Sequence, residues 1–179
     1  MAHHRLTGLL LVGGDSRRFG SPKALARFEG ETLAERAWRL LGEVCDERLA
    51  PGKRGELDLP FEVLDDACRF RAPLAGIVAG LRAAANERCF VLPVDSPLIT
   101  AAAVSRLVAG GGSPQTGPLP GMYSKQWLPV LERRLAAGQL ALRDALAELG
   151  APTVWIEPRL LANVNEPSDL LALAAVGPR

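Results

Sequence analysis

Short apolar runs of strand length alternate along this chain with segments whose apolar residues recur every three to four positions. That alternation leaves few architectures open. Leu6 to Val12 reads as a first, fully buried strand. Thr32, with Glu35 three positions on, forms a capping box that opens a helix over 33–44. Further strands are expected near Arg48–Ala50, at Phe61–Leu64 and at Cys89–Val94, where Pro93 restricts the end. Leu74, Ile77, Val78 and Leu81 share one face of a helix over Pro73–Ala85. Thr100 caps another that runs to about Ala109. A breaker-rich loop from Gly110 to Pro120 precedes helices over 125–137 and 140–149, separated by Gly138. "TVWIE" at 153–157 reads as a late strand, and Pro167 sits in the first turn of a closing helix. Strand and helix in alternation predict an α/β fold: a three-layer α/β/α sandwich around a mostly parallel, Rossmann-like sheet. No repeat, low-complexity tract or linker interrupts it, so residues 1–179 are read as one domain.

The formal net charge is +1, so any anion site must be local. A general nucleic-acid-binding field is excluded. Leu9–Val12, the longest apolar run near the start, is far too short for a signal segment or a membrane span. Cys45, Cys68 and Cys89 are scattered without a CxxC pair. They are read as reduced, mostly buried thiols of a cytoplasmic protein. His3 and His4 are read as a frayed tail. Trp38, Trp127 and Trp155 lie in apolar-periodic segments and are assigned to core or interface.

The stretch "LLLVGGDSRRFGSPKAL" at 9–25 places backbone freedom and positive charge at the end of the first strand. In an open α/β sheet, ligands bind beyond the carboxyl ends of the strands. Gly13 and Gly14 let a ligand lie against the main chain, and exposed N–H groups in such a turn hold phosphate oxygens. Arg18 and Lys23 add the charge that a polyphosphate requires. The spacing is neither the P-loop pattern nor the dinucleotide G-x-G-x-x-G. By itself it reads equally as a glycine turn followed by a solvated basic loop.

"GGDSRRFGSPKAL" resembles the signature G-G-x-S-x-R-[MF]-G-x-[DP]-K of the molybdenum cofactor guanylyltransferases, members of the nucleotidyltransferase superfamily. Gly13, Gly14, Ser16, Arg18, Phe19, Gly20, Pro22 and Lys23 fall on it. The resemblance continues in family order through "FEGETLAERAWRLL", "APLAGIVAGL", "VLPVDSPLI", "PLPGMY" and "NVNEPSDL". It implies the nucleotide-diphospho-sugar transferase type of fold. It also implies transfer of GMP from GTP to the phosphate of molybdenum-molybdopterin, with Mg²⁺ as cofactor. The implied partners extend to other molybdenum cofactor biosynthesis proteins and apo-molybdoenzymes, with no nucleic acid and no membrane.

The resemblance assigns roles residue by residue. Lys23, Arg18 and Asp95 are the expected catalytic residues. Val12, Gly13, Gly14, Ser16, Lys23, Asp65 and Asp95 are expected to bind the nucleotide. Asp95, in "VLPVDSPLI", is assigned to the metal, with Asn165 as a weaker second ligand. Read alone, Asp95 is a turn residue, Asn163 and Asn165 are turn formers, and Ser16 caps its own loop. Asp65, with Asp66 behind it, is a polar turn by itself; the resemblance implies that an Asp here accepts from guanine N1–H and N2–H₂. Asp169 is read as a first-turn charge. Arg71 is a surface cation or a partner for the pterin phosphate.

Three departures from the family pattern stand out. Val12 replaces the common Ala, Ala72 replaces the Gly usual before P-L-A-G, and Gly110–Pro120 is short where relatives carry an additional strand. Two other functions fit the same residues: a cytidylyltransferase, and a non-catalytic nucleotide-binding assembly factor.

Overall fold

The structure is a computed structural model that describes residues 5–13, 19 and 22–176. Its central sheet contains β1 (Leu6–Leu11), β4 (Glu47–Gly52), β5 (Val63–Asp65), β6 (Arg88–Pro93) and β8 (Gly121–Ser124), in the order β5-β4-β1-β6-β8. β1 runs parallel to β4 and β6, and β4 parallel to β5. Only β8 is antiparallel, pairing Val91 with Gly121 and Arg88 with Ser124. Two small ladders lie outside it: β2 (Arg27–Phe28) with β3 (Glu31–Thr32), and β7 (Ser113–Pro114) with β9 (Thr153–Val154).

Every residue of β1 is buried, because helices cover both faces of the sheet. Leu10, Val12, Phe90, Leu92 and Met122 point to one face. There they meet α1 (Leu33–Val44) and α3 (Ala101–Gly110) through Ala37, Leu41, Val104 and Leu107. Leu9, Leu11, Cys89, Val91 and Tyr123 point to the other. They pack on α2 (Pro73–Ala83), α4 (Leu128–Ala136) and α5 (Leu142–Glu148), chiefly through Leu74, Ile77, Leu81, Leu131 and Leu146. The period-two alternation of side chains thus divides one sheet between two cores.

The capping box is complete: Thr32 Oγ1 accepts from the Glu35 N–H at 3.1 Å, and Glu35 accepts the Thr32 N–H at 2.8 Å. Thr32→Ala removes this cap. It is expected to cost about 1 kcal/mol and to lower Tm by about 2–4 °C, read by thermal denaturation.

Several boundaries differ from the sequence reading. β8 falls where no strand is expected; it pairs with β6, and its Met122 N–H also donates to the Gly112 carbonyl at 3.0 Å. The expected helix over 125–137 begins as a 3-10 turn at Lys125–Trp127. The expected strand over 153–157 narrows to Thr153–Val154, because the Gln115 side chain takes over the next rung. Its amide donates to the Ile156 carbonyl at 2.6 Å and accepts the Ile156 N–H at 3.0 Å. Trp155 beside it is 60 % exposed and so is no core residue. The Gly110–Pro120 segment contains β7, and Gly112 admits it: a Cβ there would lie 1.9 Å from the Pro152 carbonyl oxygen. Cys89 is buried, Cys45 and Cys68 are half-buried, and all three are free thiols. Burial pushes the Cys45 and Cys89 thiols up to about 12, which keeps them protonated and inert. Among the described residues no helix is long and apolar enough to cross a membrane.

Candidate active site

From β1 the chain moves outward through β4 to β5, then returns to the other side of β1 as β6. Loops after β1 and β6 therefore diverge, and the crevice between them opens at the carboxyl edge. Val12–Gly13 follows β1, Val94–Asp95 follows β6, Lys53 follows β4, and Asp66 follows β5. All four loop starts meet at this edge because four of the five strands are parallel.

A cavity of about 470 Å³ occupies the crevice, lined by Val12, Gly13, Lys23, Lys53, Glu56, Leu57, Asp95, Leu119 and Asn163 among others. Its volume is that of a small-molecule site. A smaller recess of about 70 Å³ shares Leu11, Gly13, Lys53 and Pro73 with it and adds Gly52, Asp66, Arg71 and Gly76. Glycine at 52 is a packing requirement, since a Cβ there would stand 2.9 Å from Val12 Cγ2. Gly13 is exposed, and a Cβ there would meet only Gly52 Cα at 3.9 Å. Among the described residues, space does not demand glycine at that position, and its main chain lies open to the cavity.

Lys23 and Asp95 line the cavity, and Asn165 joins Lys23 from a third, distant part of the chain. The Lys23 ammonium lies 3.6 Å from Asp95 Oδ2 and donates to Asn165 Oδ1 at 3.2 Å. The Lys23 and Asp95 side chains are only 19 % and 25 % exposed, so Lys23 is not the exposed loop lysine that its sequence context suggests. Burial raises the Asp95 pKa from its ordinary value, against the opposing pull of Lys23. The Asp95 carbonyl accepts the Val164 N–H at 2.9 Å, and Ser96 Oγ donates to Asn163 Oδ1 at 3.2 Å. These bonds dock the asparagine segment against the β6 loop. Asp169 Oδ2 accepts the backbone N–H groups of Asn165 and Glu166 at 2.7 and 2.9 Å, ahead of α6 (Pro167–Val176). These two backbone donors hold its pKa down.

Asp65 and Asp66 part company. Asp65 is exposed, and its Oδ1 accepts the Ala67 N–H at 2.7 Å; it lines neither the cavity nor the recess. Asp66 turns inward to the recess, where its Oδ1 accepts from the Lys53 ammonium and from the Cys68 N–H at 3.0 Å. The carboxylate at this wall is Asp66, in place of the expected Asp65. Arg71, at the recess, makes a two-bond pair at 2.5 and 3.0 Å with Glu56, which lines the cavity. Gly14, Ser16 and Arg18 lie outside the described residues. Sequence reasoning missed Lys53, Glu56 and Leu57, which sit in a polar loop with no motif to mark them.

The donor set bears on a metal. Among the described residues no group of three or more His, Cys, Asp or Glu side chains converges. Asp95 presents one largely buried carboxylate to the cavity. A single carboxylate suits Mg²⁺, which keeps several waters and is shared with nucleotide phosphates, rather than a metal held by protein alone. The Asn165 carbonyl oxygen, the expected second ligand, is engaged by Lys23.

Residues 8–158 match the MobA-like NTP transferase domain. The chain belongs to that family. Proteins named "Probable molybdenum cofactor guanylyltransferase" are similar along nearly its whole length. The one from Deinococcus radiodurans is 34 % identical over 96 % of this chain and 95 % of its own. That from Chloroflexus aggregans is 32 % identical over 97 % and 95 %. Among solved structures, the molybdopterin-guanine dinucleotide biosynthesis protein A of Archaeoglobus fulgidus superposes with a TM-score of 0.75 at 21 % identity, over 95 % of this chain and 97 % of that one. The chain is thus a nucleotidyltransferase with the family's α/β fold, and the cavity at its switch point is the family's candidate active site.

Proposed function

We propose that this protein transfers GMP from GTP to the terminal phosphate of molybdenum-molybdopterin. An oxygen of that phosphate bonds to the α-phosphorus, the α–β phosphoanhydride bond breaks, and pyrophosphate leaves with the electron pair. Molybdopterin guanine dinucleotide is the product. The Lys23–Asp95–Asn165 cluster beside Gly13 carries the reading, in a chain whose relatives are named for guanylyl transfer.

The acceptor phosphate is ionised near neutral pH, so the site needs no strong general base. Alignment and neutralisation of developing charge are its tasks. Lys23 is suited to hold the leaving β- and γ-phosphates, and Asn165 fixes the direction of its ammonium. Gly13 admits the triphosphate against the main chain, and Val12 borders the nucleoside. Asp66 takes over from Asp65 as the acceptor for guanine N1–H and N2–H₂. Gly14, Ser16 and Arg18 belong to the same proposal through the sequence motif alone. Asp95 would hold Mg²⁺, which when bound supplies positive charge to the α-phosphate. A cytoplasmic setting suits the free thiols and the substrates.

Calorimetric titration of GTP, CTP and ATP, with Mg²⁺ present and then chelated, tests the reading. GTP is expected to bind at least about tenfold more tightly than either competitor, and more weakly without the metal. A preference for CTP would identify a cytidylyltransferase instead. Nucleotide binding without pyrophosphate release in the presence of molybdopterin would indicate an assembly factor.

A further inference from the structure

The recess holds an ion pair that the phosphate chemistry does not use. Lys53 lines both the cavity and the recess, and its ammonium donates to Asp66 Oδ1 and to the Cys68 carbonyl. The two side chains are 21 % and 8 % exposed. An ammonium carries three N–H donors, so among the described residues one remains beyond these two bonds. Asp66 Oδ1 accepts both Lys53 and the Cys68 N–H, and among the described residues nothing donates to Oδ2. The parallel register that pairs Gly52 with Asp65 sets Lys53 and Asp66 side by side. One cationic donor and one anionic acceptor therefore stand next to each other at the entrance to the recess.

That polarity selects among bases. Along its pairing edge guanine presents the O6 acceptor beside the N1–H and N2–H₂ donors. Adenine presents an amino donor beside a ring-nitrogen acceptor, and cytosine does the same. We propose that Lys53 is a base-specificity residue whose ammonium donates to guanine O6 while Asp66 receives N1–H and N2–H₂. The inference rests on the guanylyl reading above. With adenine or cytosine in the same register, the ammonium faces an amino group and the carboxylate faces a lone pair. The ion pair persists, but both mismatches leave a largely buried N–H donor and a carboxylate lone pair without partners.

Lys53 also orients Asp66, so the test must separate recognition from support. It compares the binding of GTP, 6-thio-GTP and ITP to the wild type and to Lys53→Met and Asp66→Asn. 6-Thio-GTP replaces O6 by a poorer acceptor; ITP lacks only the 2-amino group. The wild type is expected to favour GTP over 6-thio-GTP by about tenfold, the loss of one charge-assisted hydrogen bond. Lys53→Met should erase that ratio while keeping most of the preference for GTP over ITP, and Asp66→Asn should do the reverse. Should Lys53→Met fail to fold, Lys53→Gln carries the same comparison, with a reduced but measurable ratio. Equal weakening of all three nucleotides by the Lys53 change would reduce it to a loop support and overturn the proposal. An unchanged ratio would also overturn it. If wild-type protein does not prefer GTP to CTP, the guanylyl reading fails first, and this inference falls with it.

Discussion

Lys23→Ala is expected to lower kcat for pyrophosphate release by about 10²–10³-fold, with a much smaller rise in KM for GTP. Removing one preorganised charge that faces the leaving group costs about that much in other enzymes. The stability effect follows from the partners of Lys23. Its ammonium stands 3.6 Å from a carboxylate that is only 25 % exposed. Removing it leaves Asp95 without that cation, and the pKa, already raised by burial, rises further. Ionised Asp95 then costs folding free energy above that pKa, and protonated Asp95 does not. Tm should therefore fall modestly at pH 8, with the difference from wild type shrinking as the pH drops through the carboxylate range. Loss of activity in proportion to loss of folded protein, at every pH, would sink the catalytic role.

Asp95→Asn should be the other severe lesion, lowering turnover by about 10²-fold or more and removing most of the metal dependence of nucleotide binding. Its stability should move the opposite way. A carboxyl whose folded pKa is raised binds protons more readily in the native state than in the unfolded chain. Stability is thus lost as pH rises from the unfolded pKa through the folded one. Asparagine avoids ionisation, so Asp95→Asn is expected to raise Tm at pH 8 by about 1–3 °C and to change little at pH 4. The same titration predicts a wild-type signature: metal-supported GTP binding weakens on acidification, beginning at a higher pH than an unperturbed aspartate would set. Metal-dependent binding that survives the substitution would remove Asp95 from the metal site.

Both residues are legible in the amino-acid sequence. Asp95 follows the apolar run of β6, at the edge where a parallel α/β alternation sends its strand ends, but read alone it is a turn residue; the family motif is what marks both it and Lys23. The capping box at Thr32 is plainer, since it needs only two residues three positions apart. The choice between Asp65 and Asp66 is not. Side chains alternate with a period of two, so a one-residue uncertainty in where β5 ends reverses which carboxylate faces the recess. β8 is hidden for another reason: "GMYS" carries no strand signal of its own and forms by pairing with Phe90 and Cys89 across the sheet. Trp155 shows the opposite case: a strand-like run allowed core or interface, and the tertiary structure, leaving it exposed, removes the core.

The sequence by itself determined the alternating elements and the mostly parallel character of the sheet, because both depend on local propensity and periodicity, and it marked Gly13, Lys23 and Asp95 only through their place in the family motif. Tertiary structure alone decided that Lys53 meets Asp66 and that Asn165 meets Lys23. Those contacts depend on strand register and on segments far apart in the chain closing on one another, and no local pattern encodes that distance.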